Sequence, residues 1–276
     1  KIIMIGHGMV GHKFIESVLE HVGDDVEITI LAEEPRLAYD RVHLTEYFSG
    51  KSAKDLTLCR ADFADAYGID LRLNTKAVAI DQSHKTVTTN HGDVLSFDKL
   101  ILATGSYAFV PPISGNDREN CFVYRTIEDL DAIRAASLNA KSGVVIGGGL
   151  LGLEAAKALR DLNLETHVVE FAPRLMAVQI DDLGGKVLRA KIENLGVKVH
   201  TQKATSSIEE GATTKHVMKF GDGSELETDI ILFSAGIRPR DELARQSGLA
   251  LGERCGIMIN DYCQTSNPDI YAIGEC

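Results

Sequence analysis

The sequence is poorly equipped for metal or disulfide chemistry. Its five cysteines (Cys59, Cys121, Cys255, Cys263 and Cys276) are scattered, odd in number, and form no Cys-x-x-Cys pair or metal-ligand spacing. This excludes the redox dithiol of disulfide reductases and a metal centre held by the chain itself. It suits five unpaired thiols in a reducing compartment. Long apolar runs are also missing: the nearest approach to the ~20 residues that cross a bilayer, 143–156, is glycine-rich and contains Glu154. The chain opens on strand-like Lys1-Ile-Ile-Met-Ile rather than a basic leader with a small-residue cleavage site. Positive charge is in deficit, with 29 Lys and Arg against 40 Asp and Glu, a formal charge of -11. That balance repels phosphate backbones and anionic membrane surfaces, so neither nucleic acid nor membrane is expected as a partner. A soluble, cytoplasmic protein is expected.

What is present is one plan written twice, in a chain whose 276 residues are enough for two domains. The first copy runs Lys1-Ile-Ile-Met-Ile-Gly6-His-Gly8-Met9-Val10-Gly11, an apolar strand entering a Gly-x-Gly-x-x-Gly turn. A helix with Val10, Phe14 and Val18 on one face follows, then a strand from Val26 to Ala32 that ends in Glu33-Glu34. The second copy reads Gly143-Val-Val-Ile-Gly147-Gly-Gly149-Leu150-Leu151-Gly152, then a helix with Leu151, Ala155 and Leu159 on one face, then a strand closing on Glu170. Each copy continues into β-rich sequence, 76–97 and 205–227. Each then reaches an apolar strand that stops at a small-residue turn, Ala103-Thr104-Gly105 in one and Ser234-Ala235-Gly236 in the other.

Such units bind dinucleotides for a physical reason. The first glycine permits the sharp turn, the second lets the backbone approach a pyrophosphate, and the third lets helix and strand pack closely. The unpaired N-H groups and dipole of the helix N-terminus favour the phosphate charge. The acid closing the second strand accepts hydrogen bonds from ribose hydroxyls and repels a 2'-phosphate. Glu170 thus favours NADH at the second copy, while Arg174, four residues on, leaves NADPH open.

The first glycine motif, the Ala103-Thr104-Gly105 turn and the segment Thr265-Ser-Asn-Pro-Asp-Ile-Tyr271-Ala-Ile-Gly274-Glu275 resemble those of FAD-dependent pyridine-nucleotide reductases with two dinucleotide folds. A closer resemblance, across essentially the whole chain, is to the flavin module of the NADH-dependent nitrite reductase large-subunit family. It rests on Tyr39-Asp-Arg41-Val-His-Leu44, Val123-Tyr-Arg-Thr-Ile-Glu-Asp-Leu130, 147–156 and Glu170-Phe-Ala-Pro-Arg-Leu-Met176. The resemblance implies an α/β fold of two Rossmann-like domains (three-layer ββα), the NAD domain inserted in a discontinuous FAD domain. The FAD domain would comprise 1–110 and 237–276, and the NAD(P)H domain 111–236. The terminal segment returns to the FAD domain, with crossings near Val110-Pro111-Pro112 and after Gly236.

By the same resemblance, FAD would contact Gly6, Gly8, Met9, Val10, Gly11, Glu33, Glu34, Arg41, Val78 (through its backbone, at the adenine), Ala103, Thr104, Gly105, Gly274 and Glu275. Relatives usually carry Asp at the last of these. The nicotinamide dinucleotide would contact Gly147, Gly149, Leu150, Leu151, Gly152, Glu154, Glu170 and Gly236, with Glu154 near the nicotinamide. Glu46 stands where relatives often carry Lys. Electrons would pass to an iron-sulfur or sirohaem centre in regions beyond this chain, for reduction of nitrite to ammonia; the chain is read as part of a longer polypeptide. Alternatives are a stand-alone rubredoxin or ferredoxin reductase serving a small iron-sulfur acceptor, and a flavin-binding scaffold or sensor. A homodimer is compatible with any of these.

No catalytic side chain is expected, because hydride transfer to flavin needs no protein base. His7, His12 and His43 are therefore read as structural or solvent-facing. Thr126 with Asp129 reads as a helix N-cap with acid in the first turn. The pairs Asp24-Asp25 and Glu209-Glu210 read as solvated turns.

Overall fold

The computed structural model describes residues 1–22 and 26–276, so the Asp24-Asp25 pair lies outside the described residues. The chain divides into two compact units: Lys1–Arg41, Ala53–Tyr107 and Arg238–Cys276 in one, Val42–Ser52 and Ala108–Ile237 in the other.

In the first unit, β1 (Ile2–Ile5), β2 (Ile28–Leu31), β3 (Asp70–Arg72), β7 (Lys99–Leu102) and β18 (Ile270–Ala272) form a parallel sheet in the order β18-β7-β1-β2-β3. Strands buried on both faces read as continuous apolar runs, and Ile-Ile-Met-Ile is one. Alternate side chains go to opposite faces. Ile3, Ile5, Leu31, Leu100 and Leu102 meet Ala77, Ile80, Val87 and Phe97 of an antiparallel sheet made of β4 (Ala77–Asp81), β5 (Thr86–Thr89) and β6 (Val94–Ser96). On the other face Met4, Ile30 and Ile101 meet Ile15 of α1 (Met9–Val22) and Phe63 of α2 (Phe63–Ala66). Each fully buried Ile or Leu here stabilises by roughly 1.5–3 kcal/mol. The layers are sheet, sheet, helix.

The second unit repeats this. β9 (Cys121–Val123), β10 (Ser142–Ile146), β11 (Glu165–Glu170), β12 (Lys198–Thr201) and β16 (Ile230–Phe233) pair in the order β12-β11-β10-β16-β9. Val144, Ile146, Val169, Ile231 and Phe233 pack on Ile208, Met218 and Phe220 from β13 (Thr205–Glu210), β14 (His216–Phe220) and β15 (Glu225–Thr228). Helices α3 (Ile127–Ser137), α4 (Leu150–Asp161) and α5 (Asp182–Asn194) complete it, and α6 (Glu242–Ser247) lies in the first unit. At the crossings β8 (Ser106–Ala108) and β17 (Ile237–Pro239) form a two-stranded sheet.

Three readings change. The segment Val42–Ser52, placed by sequence in the first domain, groups with the second unit. Its 3-10 turn, Leu44–Ser49, buries Leu44 and packs against α4, and Thr45 accepts the Tyr124 hydroxyl at 3.2 Å. Glu209 and Glu210 are the exposed end of β13 rather than a turn, since they pair in register with Val217 and His216. The apolar stripes of α1 and α4 lack their first expected member, while Phe14 and Val18 pack on the core. Val10 and Leu151 face outward, while Gly11 and Ile15, and Gly152, Ala155 and Leu159, are buried.

Candidate dinucleotide sites

Both glycine turns have the same construction. Gly6 adopts φ +102° and Gly147 φ +121°, and a Cβ on either would stand 2.2 Å from a carbonyl oxygen, of Ala103 and Ser234 respectively. Gly11 and Gly152 back onto the first glycine of their own motif, where a Cβ would come within 2.9 and 2.0 Å of its carbonyl oxygen. Gly8 and Gly149, by contrast, have nothing within 4 Å of a Cβ. The first and last glycines of each Gly-x-Gly-x-x-Gly motif are thus required by protein packing, and the middle one is required by none. An open middle glycine at a helix N-terminus is the cradle a pyrophosphate fits. Gly105 (φ +66°) and Gly236 (φ +112°), which end the neighbouring strands, are likewise open.

Several expected residues of the first unit gather round this turn. Thr104 donates its hydroxyl to the Arg240 carbonyl at 2.7 Å, and Arg240 N-H donates to the Gly105 carbonyl at 2.9 Å. Gly274 lies against Val10, and Ser106 donates to the Glu275 carboxylate at 2.7 Å. The Arg41 N-H donates to the Met9 sulfur at 3.3 Å, and its guanidinium lies over the Tyr39 ring at 4.6 Å and pairs with Glu34. Val78 is the extra residue of a bulge between β4 and β5, so its backbone lies outside the ladder.

The strand-end acids are not equivalent in the two copies. Gly6 N-H donates to Leu31 O and Gly147 N-H to Val169 O, each at 2.8 Å, so Ala32 stands where the second copy has Glu170. Glu33 and Glu34 fall one and two residues beyond. Burial pushes the Glu33 carboxyl up, but Lys76 and Arg240 outweigh it and hold it below its ordinary value. The reason for the offset is steric. A Cβ on Gly148 would come within 3.0 Å of the Glu170 carboxylate, and the first copy has His7 at that position. A side chain there leaves room for alanine, not glutamate.

In the second unit Glu170 is held by Gly148 N-H at 2.6 Å and Ala172 N-H at 2.7 Å. Leu150 and Leu151 face solvent at the start of α4. Glu154, one turn on, is partly buried, which pushes its carboxyl up against the opposing charge of His43. Glu46 forms an ion pair with Lys51. His7 and His12 are buried, without a hydrogen-bond partner at any ring nitrogen, and His43 is exposed. Sequence reasoning missed Lys76, Ser106 and Arg240, which hold Glu33 and Glu275 from distant parts of the chain. Among the described residues no three His, Cys, Asp or Glu side chains cluster to hold a metal, and no helix is long and apolar enough to cross a membrane.

These features define a tandem dinucleotide-binding α/β protein. The family model of pyridine nucleotide-disulphide oxidoreductases matches residues 1–276, and the chain belongs to that family, whose membership implies binding of FAD and NAD(P)H. It is 55% identical, over its whole length, to the nitrite reductase (NADH) large subunit of Escherichia coli, of which it covers 33%. It is also 55% identical to the nitrite reductase [NAD(P)H] large subunit of Klebsiella oxytoca, of which it covers 29%. The chain therefore spans about a third of the length of these relatives. Among solved structures, the NAD-dependent persulfide reductase from A. fulgidus superposes on all of this chain and 53% of its own with a TM-score of 0.93 at 30% identity.

Proposed function

We propose that this chain is the electron-input module of a nitrite reductase large subunit, with FAD in the first unit and NADH in the second. The observation that carries the reading is the repeated cradle, in which packing fills the space around the first and last glycines of each motif and leaves the middle one open. FAD, when bound, supplies the hydride-accepting and electron-releasing chemistry.

The chain's own residues bind and orient. Gly8 and the first turn of α1 face the pyrophosphate with unpaired N-H groups, and Glu275, steadied by Ser106, reaches the flavin side. Glu33 or Glu34 takes the ribose that Ala32 leaves unanswered, and the bulged backbone at Val78 takes the adenine edge. In the second unit Gly149 and Glu170 hold the adenosine half of NADH, and Glu154 lies towards its nicotinamide. The electrons then pass to an iron-sulfur or sirohaem centre held elsewhere in the full-length protein, where nitrite is reduced to ammonia.

The purified chain, reconstituted with FAD, will show flavin bands in the visible spectrum that bleach on anaerobic addition of NADH. Absence of those bands after reconstitution would overturn the reading. The same protein will reduce ferricyanide with NADH and leave nitrite untouched.

A further inference from the structure

The loop after Glu170 contains a cation that the nucleotide reading leaves unexplained. Arg174 is the first basic residue beyond the acid, and a guanidinium near the strand end is the ordinary partner of a 2'-phosphate. This one is turned away. Its Nε donates to the Ile180 carbonyl at 3.0 Å, Nη2 to the Ala177 carbonyl at 3.0 Å, and Nη1 to Asp182 at 2.7 Å. Its stem lies on α5 at Gly185, where a Cβ would come within 2.9 Å of Arg174 Cδ. A glycine inside a helix costs about 1 kcal/mol relative to alanine, and here it makes room for that stem. Asp182 is largely exposed and its ion pair contributes little, so the two carbonyls hold the guanidinium. Re-aiming it would break two hydrogen bonds that close the loop between Ala177 and Ile180. Glu170, meanwhile, is fixed from the other side by Gly148 and Ala172.

We infer that Arg174, held in its own loop, supplies no ligand for a 2'-phosphate in the second unit, so that removing the repelling acid Glu170 alone does not admit NADPH. This rests on the reading of that unit as the nicotinamide-dinucleotide site. Arg174 is thus a loop-closing residue rather than the phosphate ligand its position suggests.

Calorimetric titration of the full chain with ADP-ribose and with 2',5'-ADP tests this without any turnover. The unaltered protein will bind ADP-ribose at least about tenfold more tightly than 2',5'-ADP. Glu170→Ala will weaken ADP-ribose by about tenfold, as loss of charge-assisted hydrogen bonds does, and will raise 2',5'-ADP affinity by less than about threefold. Glu170→Ala/Arg174→Met will bind 2',5'-ADP as Glu170→Ala does. In the otherwise unaltered protein Arg174→Met will lower the unfolding temperature while leaving the ADP-ribose to 2',5'-ADP ratio in place. A larger gain for 2',5'-ADP in Glu170→Ala, or its fall when Arg174 is also replaced, would overturn the inference and leave the nucleotide reading standing. Failure of the unaltered protein to bind ADP-ribose would overturn both.

Discussion

At the scale of residues, the middle glycine separates binding from folding. Gly8→Ala adds a methyl to open space, so the fold will keep its melting temperature while FAD affinity falls at least about tenfold, measured by fluorescence titration. Gly6→Ala drives a Cβ to 2.2 Å from the Ala103 oxygen at a positive φ, and will cost at least about 2 kcal/mol in urea unfolding. Equal effects of the two on stability would contradict the assignment of their roles. His7 carries a pH dependence. Burial, reinforced by His12, lowers its pKa from 6.5 to about 4. The unfolded chain therefore binds a proton that the folded chain refuses in that window. Stability from this residue is full above pH 6.5 and drains as pH falls towards 4, by up to about 3 kcal/mol. His7→Leu will flatten that part of the stability curve, as seen in urea unfolding between pH 7 and 4.

At the scale of elements, α3 begins with a reciprocal cap. Thr126 accepts from Asp129 N-H at 3.2 Å, and the Asp129 carboxylate accepts from Thr126 N-H at 2.8 Å. Burial raises the Asp129 carboxyl against these bonds. Thr126→Ala will destabilise the protein by about 1 kcal/mol, read from its unfolding midpoint, without altering nucleotide affinity. This cap was legible because capping is local: the two residues are three apart and the backbone geometry follows. The strands were legible for a similar reason, since runs such as Ile-Ile-Met-Ile declare burial on both faces. The apolar faces of α1 and α4 were legible except at their first positions, since Phe14 and Val18 pack on the core and Ala155 and Leu159 are buried. Val10 and Leu151 belong to the pattern by spacing, yet both are exposed, because periodicity does not say where along a helix the packing begins.

At the scale of the molecule, two units with separate sites can be stabilised separately. Calorimetry with FAD at about 100-fold over its dissociation constant will raise the transition of the unit that holds Gly8 by about 2.7 kcal/mol, and Gly8→Ala will blunt this response but not the response to ADP-ribose. Loss of both responses in that variant would argue against one nucleotide per unit. The sequence alone determined that there are two copies and that each has its glycines at the spacing a pyrophosphate needs, because spacing and apolar runs encode these locally; the return of the chain to its first sheet at Ile270–Ala272 was implied by the family resemblance. Only the tertiary structure decided that Ala32, not Glu33, matches Glu170, that Val42–Ser52 joins the second unit, and that Arg174 is occupied. Each of these depends on the register of a strand or on which distant carbonyl a side chain meets, and neither is written in the spacing of residues along the chain.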